Sequence, residues 1–351
     1  MSPSLHYAPE LRLAIDKQKV PAELRGSVTS VSVQTGLGIS DRVEVVLAND
    51  RLRWLDHPLL ALDRELSVSL GYATDPLTQL FVGEIVAHDA TFPSGGLPLV
   101  TVVAQDRLRR LQEGTKERWF AIPIPTVGNF PLPDTAVASI VALENGLLPI
   151  IEPVGAAISA LLGVAAGGTD PQAMQALVRR QGSPDKGESD FDFASRIARD
   201  NGWELTIDHS GPLGGLQLRF LSPLDHLAPA LELKYGASLI EFRPRISKVG
   251  QIVSVTAFVW ISQIKTKLAV TVGWDWDRMA LTISVGSTFT PGGDGPSKVI
   301  VGEPVTLQTA PKTLVSELIP KLNQRLTGAG SCVGDPRIVA GSVIQLEGLG
   351  V

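Results

Sequence analysis

A single cysteine, Cys332, among 351 residues excludes an intramolecular disulfide and any cysteine-based zinc site. The five histidines, His6, His57, His88, His209 and His226, include no pair at the three- or four-residue spacing that sets two imidazoles on one helical face. The sequence therefore carries no metal-centre motif, and no cofactor is expected. Basic clusters are scarce too. Lys and Arg number 31 against 36 Asp and Glu, a formal net charge of -5, whereas neutralising a phosphate backbone takes concentrated positive charge. Nucleic acid is not an expected partner. No membrane span is expected either, since that needs about 20 strongly apolar residues. The uncharged stretch "PVGAAISALLGVAAGGT", Pro153 to Thr169, is rich in Ala and Gly; it fits a buried or partner-covered helix, with a membrane-contacting helix as the alternative. The opening "MSPSLHYAPELRLAIDKQ" lacks the basic start, apolar middle and small-residue cleavage site of a secretory signal.

What is present is globular: 44% hydrophobic and 19% charged residues can bury the cores of two or three domains. Over the first hundred or so residues the hydrophobics alternate with the two-residue period of half-buried strands, in "SVTSVSVQT", "DRVEVVLAN", "RELSVSLGY", "QLFVGEIVAH" and "LPLVTVVAQD". Val43, Val45 and Leu47 fall on one face, and Val28, Val31 and Val33 lie near one another. This predicts an antiparallel barrel or sandwich. The segment that follows, "QDRLRRLQEGTKERW", carries Arg107, Arg109, Arg110, Lys116 and Arg118; it is either a solvated exit from the barrel or a charged contact with another subunit.

From about Ala121 to Asp208 the pattern turns to helices between Pro- and Gly-rich connections. "ASIVALENGL", Ala138 to Leu147, aligns without gaps on "ASRIARDNGW", Ala194 to Trp203, which points to a repeated small helical unit. Each helix is led by an acid, Asp134 or Asp190, and closed by a glycine, Gly146 or Gly202, suited to the left-handed position after a helix. In "GESDFDFASRIARDNGWEL", Ser189 is an N-cap and Asp190 and Asp192 sit in the first turn, where unpaired backbone N–H groups favour negative charge. Phe191, Ala194 and Ala198 form one face with Ile197 beside them, and Trp203 folds back after Gly202. The acidic cluster is thus explained by capping and by the helix dipole, without a metal or acid–base role.

Strand periodicity returns from about Leu216 in "LQLRFL", "LELKY", "LIEFRPRI", "QIVSVTAFVWI", "TKLAVTVGW" and "MALTISV". "KTLVSELIPKLNQRLTG" then predicts a helix with Leu314, Leu318, Leu322 and Leu326 at four-residue spacing, bent at Pro320, before a final strand in "GSVIQLEGLG".

Four stretches in this order resemble one family. "LGYATDPLTQLFVGEIVAHDATFPSGGLPLVTVVAQDRLRRL" resembles the first barrel of phage late-control protein D, whose relatives are tail hubs and the hub portions of VgrG and of extracellular contractile injection spike proteins. "ESDFDFASRIARDNGWEL" is similar to that family's middle helix, "YGASLIEFRPRISKVGQIVSVTAFVW" to the start of its second barrel, and "VGDPRIVAGSVIQLEGLG" to its last motif. The resemblance implies a mainly β chain with a helical insert: a first tail-tube-like barrel over residues 1–115, a helical middle region over 116–210 and a second barrel over 211–351. It implies a homotrimeric hub, not an enzyme, that adapts a six-fold inner tube to a three-fold spike. The implied partners are itself, an inner tube or tube-initiator protein, a spike or spike domain and surrounding baseplate proteins. Such a hub would be assembled in the bacterial cytoplasm and carried in a phage tail or a released tail-like particle. Family members usually continue past the "LEGLG" motif, whereas this sequence stops at Val351; the spike is expected as a separate chain or as a continuation of a longer one. Gly348, Leu349, Gly350 and Val351 are accordingly expected on the spike side. The insert between Pro153 and Gly168 is longer than the family's usual link, which suggests an extracellular injection particle or a specialised tail.

Two other classes compete. A cell-wall hydrolase would need a raised-pKa acid facing a second carboxylate across a cleft, and Glu188 with Asp190 or Asp192 is the available pair; these residues share one helix start instead of facing each other. "GSVTS", "GSP" and "GGDG" lack the spacing of hydrolase or nucleotide motifs. A carbohydrate-binding β protein would explain the strands and tryptophans but leaves two β regions around a helical insert unaccounted for, and 5% aromatics make a poor stacking surface.

Overall fold

The computed structural model describes residues 8–73, 75–125, 128–151, 178–222, 228–246, 254–261, 266–275, 280–286, 297–305 and 326–350. The first unit holds β1 (Pro9–Ile15), β2 (Gln18–Lys19), helix α1 (Ala22–Ser27), β3 (Val28–Gln34), β4 (Arg42–Ala48), β5 (Glu65–Tyr72), β6 (Thr78–Thr91) and β7 (Leu99–Gln105). Its strands pair in the order β2-β1-β5-β6-β7-β4-β3, every pair antiparallel. Alternation is what builds it. Val43, Val45 and Leu47 of β4 stand opposite Ala104, Val102 and Val100 of β7, and all six are buried. Such cross-strand pairs are the unit of sheet stabilisation. Val28, Val31 and Val33 pack against the same core half-buried, and Leu24 of α1 reaches into it. The backbone ladder stops at β2 and β3, so among the described residues the sheet does not close by hydrogen bonds; α1 joins its two ends.

The middle unit contains β8 (Arg118–Ile124), β9 (Gly128–Pro131), α2 (Asp134–Glu144), β10 (Leu148–Ile151), β11 (Arg179–Gln181), α3 (Asp190–Asn201), β12 (Glu204–Asp208) and β13 (Gln217–Leu221). Two three-stranded sheets, β11-β8-β9 and β10-β13-β12, accompany the two helices. Phe120, Val137, Val141, Phe193, Ile197, Trp203 and Phe220 share one buried core, with Leu108 and Leu111 contributed by the short 3-10 helix Arg107–Gln112. Leu218 and Phe220 place β13 in this core, which therefore extends past residue 210. Residues 118–131, where helices were expected, form the β8–β9 hairpin instead. The insert 153–169 lies outside the described residues.

The last region comprises β14 (Leu231–Lys234), β15 (Leu239–Ile246), β16 (Ser254–Ile261), β17 (Thr266–Asp275), β18 (Ala280–Gly286), β19 (Ser297–Val305), β20 (Leu326–Cys332) and β21 (Ile344–Glu347). β18-β17-β16-β19 form one sheet, β15 pairs with β20 and β14 pairs with β21. The fold is mainly antiparallel β with few helices, as the sequence predicts, although β10–β13, β16–β19 and β14–β21 are parallel. Most of the expected leucine helix near the C-terminus lies outside the described residues. Leu326, assigned to it by spacing, instead opens β20, with Ile246 as its partner. The C-terminal stretch folds back on the first unit: the Tyr72 hydroxyl donates to the Gly334 carbonyl at 2.7 Å, and the Ala340 N–H to Thr35 Oγ1 at 3.3 Å.

Candidate functional site

The acidic start of α3 is in part a cap and in part something else. Ser189 Oγ accepts the Asp192 N–H at 3.0 Å and its hydroxyl lies 2.8 Å from Asp192 Oδ2, so Ser189 and the exposed Asp192 close the helix start. Gly202 ends the helix at φ 67, a conformation a β-carbon would strain, and the Trp203 N–H returns to the Ala198 carbonyl at 2.8 Å. The Trp203 ring is buried edge-on to Phe220 at 5.7 Å. Phe191, however, is only half-buried. The ring at the centre of the core is Phe193, fully buried and stacked on Phe120 at 5.1 Å. The helical face is therefore set by Phe193, Ala194, Ile197 and Ala198, not by Phe191.

Asp190 departs further from a dipole role. It is 4% exposed and receives Lys116 Nζ at 2.6 Å, Arg118 Nη2 at 3.0 Å, Asn145 Nδ2 at 2.8 Å and Gln181 Nε2 at 2.8 Å. Burial pushes its carboxyl up, but the hydrogen bonds from Lys116, Asn145 and Gln181 hold it below the ordinary value. Asp134, which leads α2, is its counterpart: Arg179 grips both oxygens at 2.7 and 2.9 Å, and Asn201 Nδ2 donates at 2.8 Å. Burial works against the Arg179 charge, yet Asp134 and Asp200 raise its pKa. The two helices thus clasp each other reciprocally. The asparagine ending each one also donates to its own helix, Asn145 to the Val141 carbonyl and Asn201 to that of Ile197, while reaching the aspartate that begins the other. Asn145 follows Asp134 by 11 positions and Asn201 follows Asp190 by 11. That common spacing, within the repeat seen in the sequence, is the signal that could have exposed the pairing.

The basic segment is tied to carboxylates of the chain itself. Arg107 binds Glu65 at 2.6 Å and Glu84 at 3.4 Å, Arg109 binds Glu84 at 3.2 Å, and Arg110 also pairs with Glu84. Burial raises the Glu84 carboxyl, but Arg110, Arg107 and Arg109 together hold it below its ordinary value. Lys116 and Arg118 serve Asp190 and Glu144. The segment is an internal ion-pair network joining the first sheet to the helical unit.

A third cluster, missed in the sequence, lies at the same junction. Asp41 before β4, Asp106 after β7 and His209 in the β12–β13 turn are all buried, with their oxygens and ring nitrogen within 4.8 Å of one another. These are metal-ligand residue types, but their geometry does not suit a metal. His209 Nδ1 accepts the Val82 N–H at 3.1 Å, which puts the ring proton on Nε2, 2.9 Å from Asp41 Oδ2. A metal on Nε2 would need that proton moved to Nδ1, against the Val82 donor.

Acid–base chemistry finds no support at the α3 start either. Burial raises the Glu188 carboxyl, but Arg196 and the Gly182 N–H hold it below its ordinary value, as Lys116 and its neighbours hold Asp190. Neither Glu188 nor Asp190 is therefore a raised-pKa acid. At the C-terminus Leu349 is exposed, Gly348 lies against Tyr235, and the Tyr235 N–H donates to the Glu347 carbonyl at 3.0 Å. Val351 lies outside the described residues. Among these, β21 has β14 as its partner on one edge and none on the other.

No protein-family model matches the sequence, and no curated protein is similar to it. The fold has solved counterparts. It aligns over 97% of its length with 88% of the 43 kDa tail protein of prophage MuSo2 from Shewanella oneidensis, at a TM-score of 0.57 and 14% identity. It aligns over 98% of its length with 88% of a tail protein from Neisseria meningitidis MC58, at a TM-score of 0.52 and 10% identity. The chain thus has the fold of these tail proteins.

Proposed function

We propose that the chain is a structural, non-enzymatic hub of a contractile tail or injection-system baseplate: a homotrimer that adapts a six-fold inner tube to a three-fold spike. The observation that carries this reading is the fold likeness to two tail proteins over nearly the whole chain. The charged groups support it as well, because the basic segment and the acidic helix start are spent on holding the chain's own units together. On this reading the first unit and the last region are the two tube-like units, and the middle unit, which runs on through β13, is the link between them. The partners are two further copies, an inner tube or tube-initiator protein, a spike and the surrounding baseplate proteins. The particle is a phage tail or a released tail-like particle assembled in the bacterial cytoplasm.

Light scattering on the purified chain is expected to give the mass of three copies; a stable monomer or dimer at micromolar concentration would count heavily against a hub. Among the described residues β21 has no strand on its second edge, which would offer backbone N–H and C=O groups to another strand. Residues Gly348 to Val351 are accordingly assigned to the spike side, and a map of the assembled particle is expected to place them beside the spike near the three-fold axis. Finding them on the tube-facing surface would sink that assignment.

A further inference from the structure

We propose that the buried Asp41–Asp106–His209 cluster is a proton-operated clasp, which holds the β12–β13 hairpin of the middle unit on the first sheet and loosens when both carboxylates are ionised. The inference stands apart from the hub reading and would hold for a chain of any function.

The cluster bridges two units. Asp41 and Asp106 belong to the first sheet and its exit, and His209 comes from the hairpin; the Val82 N–H of β6 and the Asp41 carboxylate grip the two nitrogens of one ring. Because Nδ1 accepts from Val82, the ring proton sits on Nε2, facing Asp41. Asp41 accepts the Gly36 N–H at 2.8 Å and the ring N–H. Asp106 accepts the Ser40 hydroxyl at 2.6 Å, the Asp41 N–H at 3.0 Å and the Leu108 N–H at 3.1 Å. Two carboxylates therefore lie side by side in the interior, 2% and 1% exposed, with one imidazole between the sheet and the hairpin.

The charged groups on the surrounding elements are committed elsewhere. Arg107, from the 3-10 helix, takes Glu65 on β5 and Glu84 on β6, and its Nη1 donates to the Gly215 carbonyl at 3.1 Å. Arg109 and Arg110 take Glu84, Arg42 on β4 takes Glu44, and Asp208 on the hairpin faces Arg219 at 3.7 Å and the Ser210 hydroxyl. Among the described residues no arginine or lysine pairs with Asp41 or Asp106.

One proton resolves the conflict, and the geometry says where it goes. Ser40 Oγ donates to an ionised Asp106, the stronger charge-assisted bond, and can turn to accept from a protonated one, so Asp106 Oδ1 can take the proton while keeping Ser40 as a partner. Burial pushes the Asp106 carboxyl up from 3.8 to about 6, the Asp41 charge acting the same way and Ser40, the Asp41 N–H and His209 opposing. The sign follows. A carboxyl raised in the closed state stabilises that state in full below its ordinary value, and the contribution is lost as pH rises through about 6. Mild acid closes the clasp and neutral pH loosens it.

Hydrogen exchange on the full-length protein, corrected for the intrinsic rate at each pH, tests this. Opening that exposes β12 and β13 is expected to become about tenfold more frequent between about pH 5 and about pH 7. In Asp106→Asn that rise should be absent. No rise in the wild type, or the same rise in the variant, overturns the proposal. Should Asp106→Asn fail to fold, Ser40→Ala carries the test alone: it removes a donor that favours the ionised carboxylate, so the opening transition should move to higher pH. An unmoved transition would count against the clasp.

Discussion

Phe193→Ala is expected to destabilise the protein by ~3–5 kcal/mol, the range for deleting a fully buried ring and leaving a cavity. The ring is 0% exposed, stacked on Phe120 and surrounded by both helices and the β12–β13 hairpin, so little around it can collapse into the space. Phe191→Ala, two residues away on a half-buried position, is expected to cost well under half as much. Urea denaturation of the two variants beside the wild type checks both. If Phe191→Ala proved the more damaging, the face of α3 would be assigned wrongly.

Asp190→Ala is expected to cost ~2–3 kcal/mol, because it removes a buried carboxylate that four donors share. Lys116, Arg118, Asn145 and Gln181 would each lose one acceptor, keeping their bonds to Glu144, the Val141 carbonyl and the Glu188 carbonyl. Asp192 serves as the control: it is exposed and caps only the helix start, so Asp192→Ala should cost ~0.5–1 kcal/mol. The Asp190 effect should depend on pH. Its carboxyl is held below the ordinary 3.8, so its contribution is present above that value and lost as pH falls through the folded value. Thermal melts at neutral pH should separate variant from wild type widely, and the gap should narrow in strong acid. A gap that stayed constant would mean that the carboxylate's charge is not what the network needs.

How much of this was legible in the sequence follows from the range of each interaction. The first sheet could be read because alternation is local, and the strands β3 to β7 stand where the two-residue period put them. Helices α2 and α3 were marked by caps and by their repeated sequence. Phe193 was overlooked although its position is helical, since both phenylalanines of "DFDF" fit a first turn and only packing decides between them. β20 was hidden by its composition, "LTGAGSC": Gly328 and Gly330 sit where an added β-carbon would meet the Phe242 ring or the Glu241 carbonyl, so residues that weaken a strand on paper are what lets this one pair. Apart from the shared Asp–Asn spacing of the two helices, the charged network left no pattern in the sequence. Its partners are 72 residues apart for Arg118 and Asp190 and 168 for Asp41 and His209, and no local pattern records which side chains a fold brings together.

The reciprocal clasp between α2 and α3 bears on how the chain acquires its structure during synthesis. Asp134 waits for Asn201, 67 residues downstream, and Asn145 for Asp190, 45 downstream, so α2 leaves the ribosome with both ends lacking their partners. Helix α2 is 11 residues long, too short to persist alone in water. The first sheet, whose pairings all close within residues 9–105, can fold as soon as it emerges. The helical unit then forms in one step once Trp203 and β13 are available, and ordering by such distant contacts is slow. A pause or truncation between α2 and α3 would thus yield a finished sheet attached to an unfolded remainder.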